Sequence, residues 1–348
     1  MKLNKRQSKI LEFINSHNSS SRLEIEEFIM QVEDKVSKIT ILRDLDLMLQ
    51  NQIIQKIGHG KNIKYISSQQ NELLFKYDTD NYFKTNSDER QIKYPQFNFE
   101  IFNNLKNLFT KEELKEIQKI NDIYTNKVNN ISEKILKKEY ERLLIELSWK
   151  SSQIEGNTYS LLDTESLIKN NIEAKGHKKE EATMILNHKY ALTFIFENYD
   201  YFKDITLKKI EELHYLITKD LGISKGLRKS SVGIVGTKYK PLSNENQIKE
   251  AMEKFIKALA STNNVIEKAL IAVLMISYIQ PFEDGNKRTG RILANAILYA
   301  NGFCPLSYRS ISDVDYKKAV IIFYENNSLE FFKTLFVSQF KFAVEQYF

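Results

Sequence analysis

The chain has one cysteine, Cys304, in 348 residues. A single thiol cannot form an internal disulfide or supply a cysteine-based metal cluster. Set between Phe303 and Pro305, it reads as a small buried apolar residue. Histidine is also sparse: His17, His59, His177, His188 and His214 are the five. No His/Cys/carboxylate pattern resembles a zinc site. His188 and His214 fall in helical patterns and read as hydrogen-bonded structural residues. No uncharged apolar run reaches the length of a membrane span, so no membrane association is expected. The start, Met1-Lys2-Leu3-Asn4-Lys5-Arg6, has no apolar core after its charges and does not read as a signal peptide. A cytoplasmic protein is the expectation. Neither a P-loop nor a dinucleotide motif is present. Gly58-His59-Gly60-Lys61 is too short and sits in a hairpin pattern.

What is there is enough chain for two domains with cores of their own. An apolar share of 42% and a charged share of 28% fit a globular protein. The net charge of +6, from 51 basic and 45 acidic residues, permits nucleic-acid contact without requiring it.

The chain is organised around Gln280-Pro281-Phe282-Glu283-Asp284-Gly285-Asn286-Lys287-Arg288-Thr289-Gly290-Arg291. An apolar run from Val265 to Ile279 leads in, and another from Ile292 to Tyr299 leads out. The pattern predicts a buried helix, a tight polar loop and a second helix. Pro281 stops the first helix. Gly285 permits backbone geometry that a side chain would forbid. A helix starting near Asn286 would turn free N–H groups and its positive dipole end toward the loop. Arg288 and Arg291, three apart, share one face and can fork onto phosphate oxygens. Asp284 suits Mg²⁺, which is held by one or two carboxylates plus substrate phosphates. The run therefore reads as a site for a nucleotide di- or triphosphate with Mg²⁺. The plainer alternative is a helix cap with two arginines in surface pairs.

This run resembles the Fic-domain signature, His-x-Phe-x-Asp/Glu-Gly-Asn-Gly/Lys-Arg-x-x-Arg. Every fixed position matches except the first, where Gln280 stands in place of histidine. Upstream, Ser151-Ser152-Gln153-Ile154-Glu155-Gly156 ends a helical stripe and resembles the family's inhibitory motif, Ser/Thr-x-x-x-Glu-Gly/Asn. Ser151, Glu155 and Gly156 occupy its fixed positions. The motif precedes the core, as in members inhibited by a helix of their own chain. The resemblance implies that Glu155 pairs with Arg291 and keeps that arginine from the γ-phosphate. Leu227 to Pro241 breaks from the helical pattern, with valine and isoleucine between glycines, and reads as a short hairpin. It resembles the Fic flap, whose edge holds a target segment as an added strand. Ile234, Val235 and Gly236 are the expected flap positions.

Residues 1–68 carry three helical patterns followed by two alternating runs, Ile53–Ile57 and Ile63–Ile66, around Gly58-His59-Gly60-Lys61-Asn62. This order reads as a winged helix-turn-helix. Its third helix, with Ser37 as a plausible N-cap, resembles the recognition helix of bacterial winged-helix repressors, Val-Ser-x-x-Thr-Ile-x-Arg-Asp-Leu. Ser37, Lys38, Thr40 and Arg43 are available for phosphates and base edges, with Lys61 and Lys64 on the wing. Eleven Lys/Arg against eight Asp/Glu give this unit a net +3. DNA is the expected partner; a winged helix used for protein contacts is the alternative. Residues 69–95 read as a linker that partly packs on its neighbours. Residues 96–348 are expected to be the Fic domain. The fold class is mainly α: a winged helix-turn-helix followed by an all-α Fic fold with a small hairpin flap.

The resemblance implies transfer of AMP from ATP to a protein Ser, Thr or Tyr hydroxyl, with the chain itself among the candidate targets. Asp284 would hold Mg²⁺. Gly285, Asn286, Lys287, Arg288 and Arg291 would bind the nucleotide. The first signature position should take the hydroxyl proton, and a glutamine amide has no useful basicity. AMP transfer by the chain as written is therefore expected to be slow or absent. Two alternatives stay open. One is a nucleotide-binding transcriptional regulator without catalysis. The other, prompted by Lys287, is a Fic-type phosphotransferase. A homodimer is also left open.

Overall fold

The computed structural model describes residues 3–17, 19–33, 36–58, 60–68 and 71–348. The side chains of Ser16 and Lys61 lie outside it. His59 of the expected wing, and Gln69 and Gln70 of the expected linker, are likewise outside the described residues.

Three helices open the chain: α1 (Lys5–Ser16), α2 (Arg22–Val32) and α3 (Lys38–Gln50). Each start is fixed by a polar side chain: Asn4 with Gln7, Ser21 with Glu24, and Ser37 on the Thr40 N–H. β2 (Ile54–Ile57) and β3 (Lys64–Ser67) pair antiparallel. A strand the sequence did not suggest, β1 (Ser20–Ser21), pairs with the other edge of β3, giving the order β1-β3-β2. Ile10, Ile14, Ile25, Ile29, Ile41 and Leu45 share one apolar cluster in this unit.

The rest is helical: α4 (Thr79–Tyr82), α5 (Ile101–Asn104), α6 (Lys111–Asn130), α7 (Glu133–Ile154), α8 (Leu161–Asn170), α9 (Lys179–Glu197), α10 (Leu207–Thr218), α11 (Glu245–Ser261), α12 (Val265–Ile279), α13 (Asn286–Ala300), α14 (Asp313–Asn326) and α15 (Glu330–Tyr347). Among the described residues, no helix is long and apolar enough to cross a membrane. The second apolar cluster is built around α12, which is buried on every face from Ala269 to Ile279. α13 packs back along α12 as a helical hairpin. Gly290 makes that approach possible: a Cβ there would lie 2.9 Å from the Val273 carbonyl oxygen and 3.3 Å from its Cα. Gly290→Ala is expected to push the two helices apart and cost about 1–3 kcal/mol. Urea denaturation reads this as a lower midpoint with an unchanged slope.

The expected flap hairpin is a correction. Val235 and Gly236 form a turn, with Gly236 at φ +82°, but the limbs on either side form no ladder with each other. The physical reason is that each limb is held elsewhere. The first is pinned by Arg228, buried, whose Nε and N–H donate to the carbonyls of Gln280 (2.6 Å) and Pro281 (2.9 Å). Arg228 also donates to the carbonyls of Ser230 and Leu242. The second limb lies on the segment before α5. Lys238 Nζ donates to the Asp88 carbonyl, Arg90 to that of Gly236, and the Lys240 N–H to that of Pro95. Gln96 and Lys240 form an isolated parallel bridge.

That segment is clamped in turn on Glu325, fully buried at the end of α14. Glu325 accepts from Tyr82 Oη (2.6 Å), from Arg90 Nε (3.1 Å) and Nη2 (3.0 Å), and from Thr237 Oγ1 (2.7 Å). Its carbonyl accepts from the N–H groups of Lys93 and Tyr94. The aromatics between residues 75 and 83 pack on each other and on Arg90.

Candidate functional site

α12 ends at Ile279, and Gln280 takes the left-handed conformation (φ 50°) that turns the chain. This is unusual for a residue with a side chain, and the surroundings hold it there. Gln280 Nε2 donates to the Ser277 carbonyl (2.7 Å), and its Oε1 accepts from Asn286 Nδ2 (3.0 Å). Asn286 also bonds both the N–H (2.9 Å) and the carbonyl (2.8 Å) of Phe282. Phe282 is fully buried and stacks on His214 at 3.8 Å. His214 Nε2 donates to the Asp284 carbonyl (3.0 Å), and burial lowers this histidine's pKa to about 4. Gly285, at φ +78°, has no alternative: a Cβ would lie 2.8 Å from Thr218 Cγ2. As the N-cap of α13 it offers no side chain to the helix start. The first N–H groups of α13 therefore keep their donors and the dipole's positive end for the cleft.

Five charged side chains meet at this helix start. Arg291 is fully buried. Its Nε donates to Ser151 Oγ (2.9 Å), and its Nη2 to the Ser151 carbonyl (2.8 Å) and Glu155 Oε1 (2.9 Å). Glu155 Oε2 accepts from Lys287 Nζ at 3.0 Å. Burial alone would raise the Glu155 pKa, but Arg291 and Lys287 outweigh it and hold the carboxyl at about 2. Glu155 stays ionised throughout the ordinary pH range. Arg288, also buried, donates to Asp284 Oδ2 at 3.0 Å.

Ser151 is itself oriented from behind. His188 is fully buried, and burial lowers its pKa to about 3, so it is neutral. Its Nδ1 lies 2.8 Å from the Met184 carbonyl, which can only accept, so Nδ1 carries the hydrogen. Nε2 then accepts from the Ser151 hydroxyl at 2.8 Å. That leaves the Ser151 lone pairs for Arg291.

A cleft of about 480 Å³ opens between Glu155 and Gly156, the Ile234–Val235 turn, the 280–288 loop, and Tyr316, Val320, Ile321 and Tyr324 of α14. Polar atoms at its floor and just behind it are unpaired. Arg288 Nη1 and Arg291 Nη1 are buried and donate to nothing. The Tyr316 hydroxyl lies beside Arg291 and the Tyr324 hydroxyl beside Gln280, but neither reaches hydrogen-bond geometry. Buried donors without acceptors are costly, and here they converge with a helix start on one cavity. The arrangement suits an anion with several oxygens. Asp284 and Glu283 are the exposed carboxylates of the loop; the Asp284 side chain is 69% exposed, with one oxygen held by Arg288. Among the described residues, no three His, Cys, Asp or Glu side chains group to hold a metal. A divalent ion would thus fit Asp284 only with ligand oxygens completing its shell, as Mg²⁺ on a nucleotide does.

The sequence-selected residues of residues 96–348 therefore come together. Glu155, Gly156, Gln280 and Asp284 to Arg288 line one cleft, Arg291 and Ser151 are buried behind Glu155, and Ile234 and Val235 lie on the rim with Gly236 next to them. Reading the sequence missed Arg228, Tyr316, Tyr324 and the contact between Lys287 and Glu155. The residues selected for DNA lie apart, at the exposed start of α3. Ser37 and Thr40 are engaged with each other at the helix cap (2.9 Å), Lys38 lies 3.6 Å from Glu26, and Arg43 is exposed. The Lys61 side chain is outside the described residues.

Comparison with known proteins matches part of this chain to a family. Residues 204–298 match the family model described as Fic/DOC. Over 159 residues the chain is 31% identical to protein adenylyltransferase Fic of Drosophila sechellia, covering 44% of this chain and 32% of that protein. The match to protein adenylyltransferase fic-1 of Caenorhabditis elegans is 27% over 161 residues, or 31% of its length. The chain thus spans about a third of the curated relatives it matches. The solved structure of Fic-1 from C. elegans aligns with a TM-score of 0.58 at 21% identity, covering 67% of this chain and 70% of that one. A Fic family protein from Desulfovibrio desulfuricans G20 aligns with a TM-score of 0.55 at 19% identity, over 73% of this chain and 76% of that one. Residues 204–298 thus match a Fic/DOC-family domain, and the chain shares the helical fold of the solved Fic proteins.

Proposed function

We propose that this chain binds ATP with Mg²⁺ in the cleft at the start of α13 and carries the apparatus for AMP transfer to a protein hydroxyl. We further propose that it is held in a low-activity state. The observation that carries this reading is the convergence of the uncapped α13 start with Arg288 and Arg291, each keeping a buried unpaired N–H. The α13 N–H groups and Arg288 would bind the phosphate chain. Arg291 would neutralise charge on its outer phosphates as a bond breaks. Asp284 would hold the metal of the nucleotide. Glu155 accepts the Arg291 Nη2 donor, so an outer phosphate meets a carboxylate where it needs a cation. That is the physical basis of the low-activity state.

A second reading is favoured by one observation. The amide of Gln280 is engaged on both sides, with Ser277 and Asn286, and has no base to offer. The cleft would then sense nucleotide without turning it over, and residues 3–68 would act on DNA through Arg43 and Lys38.

Calorimetric titration with ATP and Mg²⁺ tests the binding common to both readings. Glu155→Gly frees the arginine of a charge-assisted pair and is expected to tighten ATP binding about tenfold or more. An unchanged affinity would remove Glu155 from the cleft's regulation. A gel shift comparing the parent with Arg43→Ala tests the DNA role. A uniform weakening supports it, and no shift by either protein excludes it.

A further inference from the structure

The two cations on Glu155 are not equivalent. Arg291 cannot leave. It is fully buried, donates to Ser151 through two further hydrogen bonds, and Ser151 is fixed by His188. Lys287 can leave. Its side chain is 29% exposed at the cleft mouth, and among the described residues its ammonium has Glu155 as its one hydrogen-bond partner. Lys287 also sits in the first turn of α13, beside the N–H groups assigned to phosphate. A lysine is a compact charge on a flexible stem and can exchange one anion for another by rotating that stem.

We infer that Lys287 is a movable second clasp on Glu155, and that its ammonium passes to a nucleotide phosphate when the nucleotide enters. This rests on the nucleotide reading above and adds to it. Without nucleotide, Lys287 holds the second oxygen of Glu155 and strengthens the closed state. With nucleotide, the same charge pairs with phosphate, and the closed state loses one of its two ion pairs. The nucleotide thereby weakens the contact that excludes it. Because one charge acts in both states, removing it should change affinity little while Glu155 is present. The loss in the bound state offsets the loss in the free state. Without Glu155 only the bound state loses.

A double-mutant cycle on the full chain tests this, with ATP and Mg²⁺ as the titrant. In the Glu155→Gly protein, Lys287→Met should weaken ATP binding by about threefold to tenfold, the scale of one charge-assisted pair discounted for solvent exposure. In the Glu155 protein the same substitution should leave affinity within about twofold, by the same offset. Lys287→Arg should behave as the parent in both backgrounds. An equal loss in both, or a loss only where Glu155 is present, overturns the clasp while leaving nucleotide binding intact. No ATP binding by the Glu155→Gly protein with Lys287 in place overturns the nucleotide reading and the clasp with it.

Discussion

Gln280→His, placed in a Glu155→Gly chain, is expected to raise transfer of AMP from ATP to protein by ~10²–10⁴-fold, the usual contribution of a positioned general base. The residue stands at the turn between α12 and α13, 8% exposed, at the edge of the cleft. A histidine there would keep the left-handed turn; in its neutral form one ring nitrogen carries the hydrogen, and the other keeps a lone pair for the proton of an attacking hydroxyl. Glu155→Gly alone should tighten nucleotide binding and leave transfer near background, because Arg291 is freed but no base is gained. ATP labelled separately on the α- and γ-phosphates gives the reading. Label from the α-phosphate on protein means nucleotidyl transfer. Label from the γ-phosphate means phosphoryl transfer, which would revise the reaction while keeping the site. Binding without either label, with histidine in place, favours the sensor.

The second large effect is on stability. Arg90→Ala should cost about 3–5 kcal/mol, because it strands a buried carboxylate. Glu325 is fully buried, and Arg90 supplies two of its donors; Tyr82 and Thr237 supply one each but no charge. A large drop in the urea midpoint is the expected result. Combining Arg90→Met with Glu325→Leu should recover much of it, since replacing both members of a buried pair by apolar groups is often near neutral. A cost below about 1 kcal/mol for Arg90→Ala would mean that water reaches Glu325. The same substitution removes the donor to the Gly236 carbonyl, so it should also speed hydrogen exchange around Val235.

How much of this was legible in the chain follows the range of the interactions. α12 runs from Val265 to Ile279 and α13 starts at Asn286, as the apolar runs and the Pro281 and Gly285 punctuation predicted. Those signals act within one turn of the chain. The three N-terminal helices and their hairpin were legible for the same reason. β1 was not, because Ser20 and Ser21 have no strand propensity and pair only because β3 lies beside them. The flap was misread because valine and isoleucine between glycines signal pairing but do not name the partner. Its second limb lies on Asp88, Arg90 and Pro95, about 150 residues upstream. Arg228 carried no signal at all, since its acceptors are backbone carbonyls. His188 was read as structural, and its place behind Ser151 depends on the packing of α9 against α7.

The most direct test of the account is a crystal structure of the Glu155→Gly protein grown with ATP and Mg²⁺. It should show the phosphate chain at the first turn of α13, with outer oxygens on Arg288 and Arg291 and the ion on Asp284. A cleft with no nucleotide, or a triphosphate bound away from α13 with no phosphate oxygen on either arginine, would contradict it.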